Sequence, residues 1–279
     1  MMKKFIWIPI FCLLFLCGCA GQTAPETTRT MQPATEITAP TVVTEAEKYP
    51  DVLDCASIEG MAIPDSNMPC RINLRKYRNF QSEYICYDLY IEVDTGTQVI
   101  TKELEVQVST LPDVNVFLGD VDGDGIQEIL LHDNTGGVGG FGLWRTWVLK
   151  VENDDIRILF KNYNEFNTGF ESRFLDGYQM EVKNNLTGYT LVFDVKNRYG
   201  EYIDGSSQLP AGNIYIDPFY VFEPQDKDED GISEILCKQY TSYIGHADYT
   251  GTACSILKFN TQTQMFEVID AWYEPNTEA

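Results

Sequence analysis

One stretch constrains this chain more than any other: Phe117-Leu118-Gly119-Asp120-Val121-Asp122-Gly123-Asp124-Gly125-Ile126-Gln127-Glu128-Ile129-Leu130. Acidic side chains fall at positions one, three, five and nine of a tight loop (Asp120, Asp122, Asp124 and Glu128), a glycine follows the third acid, and an apolar run follows the fourth. Alternate residues of such a loop aim carboxylates inward, Gly125 permits the sharp turn, and the carbonyl of Ile126 supplies a further oxygen. A chain wraps a hard cation such as Ca²⁺ in this way. Without a cation, four carboxylates so close together repel one another.

The stretch has a second copy. Asp226-Lys227-Asp228-Glu229-Asp230-Gly231-Ile232-Ser233-Glu234-Ile235-Leu236 matches Asp120 to Leu130 at every acid, at the glycine and at the three apolar positions, 106 residues further on. Its candidate ligands are Asp226, Asp228, Asp230, the Ile232 carbonyl and Glu234. The likeness continues downstream: Val148-Leu149-Lys150-Val151 is echoed by Ile256-Leu257-Lys258-Phe259, and Ile156 to Leu159 by Phe266 to Ile269. Each acidic loop therefore heads a unit of roughly 45 residues holding about four strands, the size of a propeller blade. Two repeats follow, at about 60–163 and 166–273, each with room for a further, metal-free blade.

The rest of the mature chain is strand-like. Tyr87, Leu89, Ile91 and Val93 alternate with Asp88, Tyr90 and Glu92, and after the turn Asp94 to Thr97 the alternation resumes, a hairpin with one buried face. Similar short segments recur at Thr146–Val151, Ile156–Phe160, Tyr178–Val182, Tyr189–Val195, Ile214–Phe222, Ile232–Lys238, Cys254–Phe259 and Phe266–Trp272. No stretch of about ten residues after the leader has a helical period. The expected fold class is all-β: a β-propeller-like array of antiparallel four-stranded blades, four in number or five if residues 49–84 add strands, with a pair of β-sandwiches as the alternative.

Both loops, with the strand that follows each, resemble the FG-GAP or VCBS-type repeat of bacterial surface proteins, related to the calcium-binding blades of integrin α-subunits. That resemblance implies a loop between two strands of a blade whose acids bind Ca²⁺, one ion per loop and two in all. The ninth position is usually Asp in that family and is Glu here. An EF-hand or dockerin requires a ligand at loop position twelve; Leu131 and Cys237 stand there.

The N-terminus reads as an export signal over residues 1–18: Lys3-Lys4, an apolar core from Phe5 to Leu16, then Leu16-Cys17-Gly18-Cys19. The last four residues resemble the lipobox of bacterial lipoproteins, which implies lipidation of Cys19, a membrane partner through the lipid, and the bacterial cell envelope as location. Residues 19–48, rich in Thr, Pro, Ala and Glu, read as a disordered tether with a reach of roughly 30 Å. The folded domain is expected over 49–279.

The formal net charge of −22 argues against nucleic acid as a partner and suits cation binding. Five cysteines lie in the expected folded domain (Cys55, Cys70, Cys86, Cys237, Cys254), with no C-x-x-C spacing for zinc. Cys237–Cys254 and Cys55–Cys70 are conceivable bridges, buried free thiols the alternative. The glycine-rich segment from Thr135 to Gly142 lacks the Lys-Ser/Thr of a phosphate loop. It and its counterpart from Tyr243 to Gly251 are flanked by aromatics. Phe141, Trp144, Trp147, Tyr243, His246 and Tyr249 are candidate ligand contacts, with core packing as the competing reading. No G-x-S-x-G occurs, and the acids single out no glycosidase pair. The expected function is a surface-anchored, calcium-stabilised module that binds a protein or glycan. A polysaccharide hydrolase or lyase with a calcium-assisted site is the alternative.

Overall fold

The computed structural model describes residues 51–64, 68–81, 86–104, 113–134, 144–162, 166–204, 214–243, 245 and 248–276, with the side chains of 201–204 left aside. Cys19, the tether, Phe141 and His246 lie outside them. Among the described residues no helix is long and apolar enough to cross a membrane.

Among the described residues fifteen strands form four antiparallel sheets, and within each sheet the strands follow chain order. Sheet I holds β1 (Val52–Gly60), β2 (Cys70–Arg78), β3 (Tyr87–Asp94) and β4 (Val99–Leu104). Sheet II holds β5 (Val114–Gly119), β6 (Glu128–Asn134), β7 (Trp144–Glu152) and β8 (Asp155–Asn162). Sheet III holds β9 (Phe170–Leu175), β10 (Gln179–Asn184) and β11 (Thr190–Asp194), followed by helix α1 (Lys196–Asp204). Sheet IV holds β12 (Tyr215–Gln225), β13 (Glu234–Ser242), β14 (Tyr249–Asn260) and β15 (Met265–Pro275). The all-β expectation holds. Sheet III departs from it, with three strands and a helix. Asp194 starts that helix by accepting the Lys196 amide through Oδ1 at 2.8 Å.

The sheets do not pack in sequence order. One buried cluster joins sheets I and II, with Ile72, Leu74, Leu89 and Ile91 against Ile129, Leu131, Trp147 and Leu149. A second joins II and IV, with Leu130 and Val148 against Phe219, Phe222, Ile235, Cys237 and Leu257. A third joins III and IV, with Met180, Val182 and Tyr199 against Ala253, Ala271 and Tyr273. Neighbouring residues on a strand point to opposite faces, so Leu130 and Leu131 serve different clusters and sheet II is covered on both sides. That is why β6 and β7 are buried almost throughout whereas burial alternates along β2 and β3.

Sheets I, II and IV stack in one sense. The first strands β1, β5 and β12 adjoin in that order, as do the last strands β4, β8 and β15. The face that sheet II lays on sheet I (Ile129, Leu131) corresponds, by the repeat, to the face that sheet IV lays on sheet II (Ile235, Cys237). On the outer face of sheet IV the repeat exchanges aromatic for charged residues: Phe117 becomes Glu223, His132 becomes Lys238 and Phe160 becomes Asp270. A sheet with that surface ends a stack. Sheet I ends the other side with the ion pairs Arg71–Glu59, Arg75–Asp54 and Arg75–Glu92.

All five cysteines of the domain are free. Cys237 packs into the cluster between II and IV, while Cys254 pairs across the strand with the next residue, Lys238, and so points to the opposite face. Cys55 lies in the middle of β1, whereas Cys70 pairs with Gly60 at its end, about five residues or 17 Å away.

Candidate metal centre

The two acidic loops connect the first and second strands of sheets II and IV, and stacking those sheets brings them side by side. The Ser233 amide donates to the Asp120 carbonyl at 2.6 Å. Gly119 abuts Pro224 and Ser233, and Gly123 abuts Ile232. The same joint occurs one layer down. The Gln127 amide donates to the Met61 carbonyl at 3.0 Å, Met61 N donates to Gln127 Oε1 at 2.9 Å, and Gly60 abuts Leu118 and Gln127. Position eight of each loop thus bonds to the carbonyl that follows a glycine in the preceding sheet.

In the first loop, Asp120, Asp122 and Asp124 bring carboxylate oxygens within 4.8 Å of one another, as do Asp226, Asp228 and Asp230 in the second. Asp120 is the anchor of its loop: Oδ1 accepts the Gly123 amide and Oδ2 the Gly125 amide, both at 2.8 Å. Asp226 does the same work through the Asp230 and Gly231 amides, at 3.1 and 3.0 Å. Gly125 and Gly231 take positive φ, 86° and 89°, as the turn requires. The match extends to Gly123 (φ 76°) and Glu229 (φ 61°), so the second loop holds a side chain in the left-handed region that its partner fills with glycine.

Glu128 and Glu234 do not join the triads. Glu128 is fully buried and accepts the Val121 amide at 2.9 Å, and Glu234 accepts the Lys227 amide at 3.4 Å. Each also binds a lysine from the third strand of its sheet. Lys258 Nζ lies 2.6 Å from Glu234 Oε1. Lys150 Nζ lies 3.0 Å from Glu128 Oε1, 2.5 Å from Asp122 Oδ2 and 2.7 Å from Asp124 Oδ2. The first loop thus closes on a positive charge. Burial pulls the Lys150 ammonium down, but its bonds to Asp122, Asp124 and Glu128 outweigh that and hold it above the usual lysine range. Burial also acts on Asp124 and is outweighed by Lys150 and the Ile126 amide, which leave its carboxyl below the usual range. Burial pushes Glu128 up to about 7 against the pull of the Val121 amide and Lys150. Both lysines were visible in the sequence as part of the repeat; their reach into the loops was not.

The donor set suits a hard cation: carboxylates converge, an ammonium already sits against three of them in the first loop, and the second triad is open to solvent. A bound ion would be held by Asp120, Asp122 and Asp124, and by Asp226, Asp228 and Asp230, with Glu128 and Glu234 bracing the loops from beneath.

The aromatic candidates separate. Trp147 is fully buried between sheets I and II, and Tyr243 is buried against Phe174 and Tyr199, so both are core residues and not ligand contacts. Trp144 stacks on His132 at 4.1 Å, and Tyr249 packs edge-on against Tyr240, which stacks on Tyr220 at 3.8 Å. His132 is spoken for: its Nε2 donates to the Phe219 carbonyl at 2.7 Å, and burial lowers its pKa to about 4.

A model of the family described as the YybI C-terminal domain matches residues 168–274, which span sheets III and IV and the second loop. The YybI protein of Bacillus subtilis (strain 168) is 28% identical over 160 residues, covering 54% of this chain and 60% of that relative. The chain thus matches about three fifths of the length of that curated relative. No solved structure matches the chain.

Proposed function

We propose that this chain is a lipid-anchored binding module of the bacterial cell surface, stabilised by Ca²⁺ at two loops, that recognises a protein or glycan. Two acidic triads held side by side at one end of a stack of sheets carry this reading. The like-facing stacking of sheets I, II and IV favours a propeller-like arrangement over a pair of separate sandwiches. The FG-GAP-like loops and the lipobox-like Leu16 to Cys19 supply the calcium and the anchor. The buried, carbonyl-bound state of His132 counts against the hydrolase or lyase alternative at this residue.

A cation bound at the triads offsets carboxylate repulsion, so binding and folding are linked. EDTA should lower the melting temperature of the full chain and added Ca²⁺ restore it, and replacing both Asp122 and Asp228 by Ala should abolish the response. A melting curve indifferent to EDTA and Ca²⁺ would sink the calcium reading. The anchor is tested separately: Cys19→Ala should release the protein from the membrane fraction.

A further inference from the structure

A cleft of about 280 Å³ opens beside the start of helix α1, the start of β14 and the end of β15, at the opposite end of sheet IV from the second acidic loop. Its lining is apolar at Met180, Phe193 and Val195. It is polar at Asn197, Arg198, Thr250 and Asn276. Cavities that take drug-sized ligands run to about 300–1,000 Å³, so this one holds a single ring.

The charges around it cancel. Arg198 is tied to Asp248 through Nε at 2.9 Å and Nη2 at 2.8 Å, and the Tyr199 hydroxyl donates to the other Asp248 oxygen at 2.6 Å. Asp194, also on the lining, is engaged in capping the helix. An anion therefore meets no uncompensated cation there and is repelled by a protein of net charge −22. Arg198 Nη1 has no hydrogen-bond partner among the described residues and is buried, so the site holds a donor in want of an acceptor. The Thr250 hydroxyl is taken up by Thr241 and Tyr273, and the Asn276 amide donates to the Tyr249 carbonyl. That leaves the exposed amide of Asn197 and the Phe193 ring on the lining, which match a ligand with an apolar face and a rim of groups that both donate and accept.

We infer that this cleft binds one neutral pyranose ring, with Phe193 against the ring face and Asn197 and Arg198 on its hydroxyls. The inference rests on the surface-binding reading above and gives it a location and a ligand class. Saturation-transfer NMR and calorimetry on the full chain, with glucose and N-acetylglucosamine as probes and glutamate and phosphate as charged comparators, test it. At least one sugar should bind in the millimolar range and neither comparator should. Asn197→Ala, at an exposed helical position, should weaken binding about tenfold with an unchanged melting temperature, and Phe193→Ala should weaken it at least as much. The inference is overturned if neither sugar binds, if both variants bind as the parent does, or if glutamate or phosphate binds in place of sugar. Should the full chain still adhere to isolated cell walls in those cases, the surface-binding reading survives without the cleft.

Discussion

Lys150 and Lys258 occupy matching positions in the two repeats, yet their surroundings differ. Lys150 is 8% exposed and faces three carboxylates; Lys258 is 35% exposed and hydrogen-bonds one. Removing a buried partner leaves charges uncompensated at a cost of about 3–5 kcal/mol, whereas a half-exposed pair contributes at most about 1 kcal/mol. Lys150→Met should therefore destabilise the protein by about 3 kcal/mol in EDTA, Lys258→Met by less than 1 kcal/mol, and Ca²⁺ should recover much of the Lys150→Met loss. Equal losses for the two variants in urea melts would contradict the view that Lys150 is the first loop's resident cation. His132 sets a different dependence. Its pKa is about 4 in the fold against 6.5 for the free side chain, so the unfolded chain binds more protons between those values. The His132 contribution is unaffected above pH 6.5 and is lost as pH drops towards 4, by about 3 kcal/mol. Glu128, held at about 7 against 4.5 in the free side chain, adds stability as pH falls from 7 to 4.5 and opposes that loss. The lowered carboxyl of Asp124 loses its contribution below that window. The stability difference between the parent and His132→Gln, read from urea midpoints, should move against the parent as pH drops from 6.5 to 4; parallel profiles would show that His132 does not contribute to the pH dependence. The triads themselves were legible, because alternating acids around a glycine have few structural uses. The partner of each acid was not, because it depends on which strand lies beneath the loop.

Between elements, the joint at each glycine decides how closely the sheets approach. A Cβ on Gly119 would lie 2.9 Å from Pro224 Cβ and 2.9 Å from Ser233 Oγ, and the proline ring cannot move aside. Gly119→Ala should cost about 1–3 kcal/mol by overpacking and should also weaken Ca²⁺ binding, because Asp120 follows directly and its carbonyl holds the second loop. A melting temperature within about 2 °C of the parent would show that the joint yields more easily than its geometry indicates. Strand existence was readable wherever apolar residues alternate, as in β3, or where they run on, as in β7. The turn at Asn153-Asp154 was readable from residue type and takes the positive φ values of 51° and 59° that a tight hairpin needs. Helix α1 was not readable, since Gly200 interrupts it and Tyr199 is its one fully buried described side chain. Strands β1 and β2 fall in the stretch 49–84 left open as a further source of strands, where the alternation of Cys70, Ile72 and Leu74 ends at the buried Lys76, and β9 was not picked out because Glu171 and Arg173 leave it few apolar residues.

At the scale of the whole domain, the sequence repeat and the folding unit differ. The family match over 168–274 covers one repeat, sheets III and IV, and sequence alone would cut the chain there. The stack cuts it otherwise. Sheet IV places Phe222, Ile235, Cys237 and Leu257 against Leu130 and Val148 of sheet II, so the repeat taken alone would expose that face to water. Chain order could not reveal this, because the residues that pair sheets II and IV are as compatible with a neighbour in sequence as with one beyond sheet III. An excised segment covering 168–276 should therefore aggregate or remain without a cooperative melt, and added Ca²⁺ should not rescue it, since the loop's packing partner Asp120 is missing too. Residues 49–279 should melt in one transition that includes all four sheets. A monomeric excised segment with a sharp melt of its own would make the repeat an independent domain and reduce the interface between sheets II and IV to a docking contact.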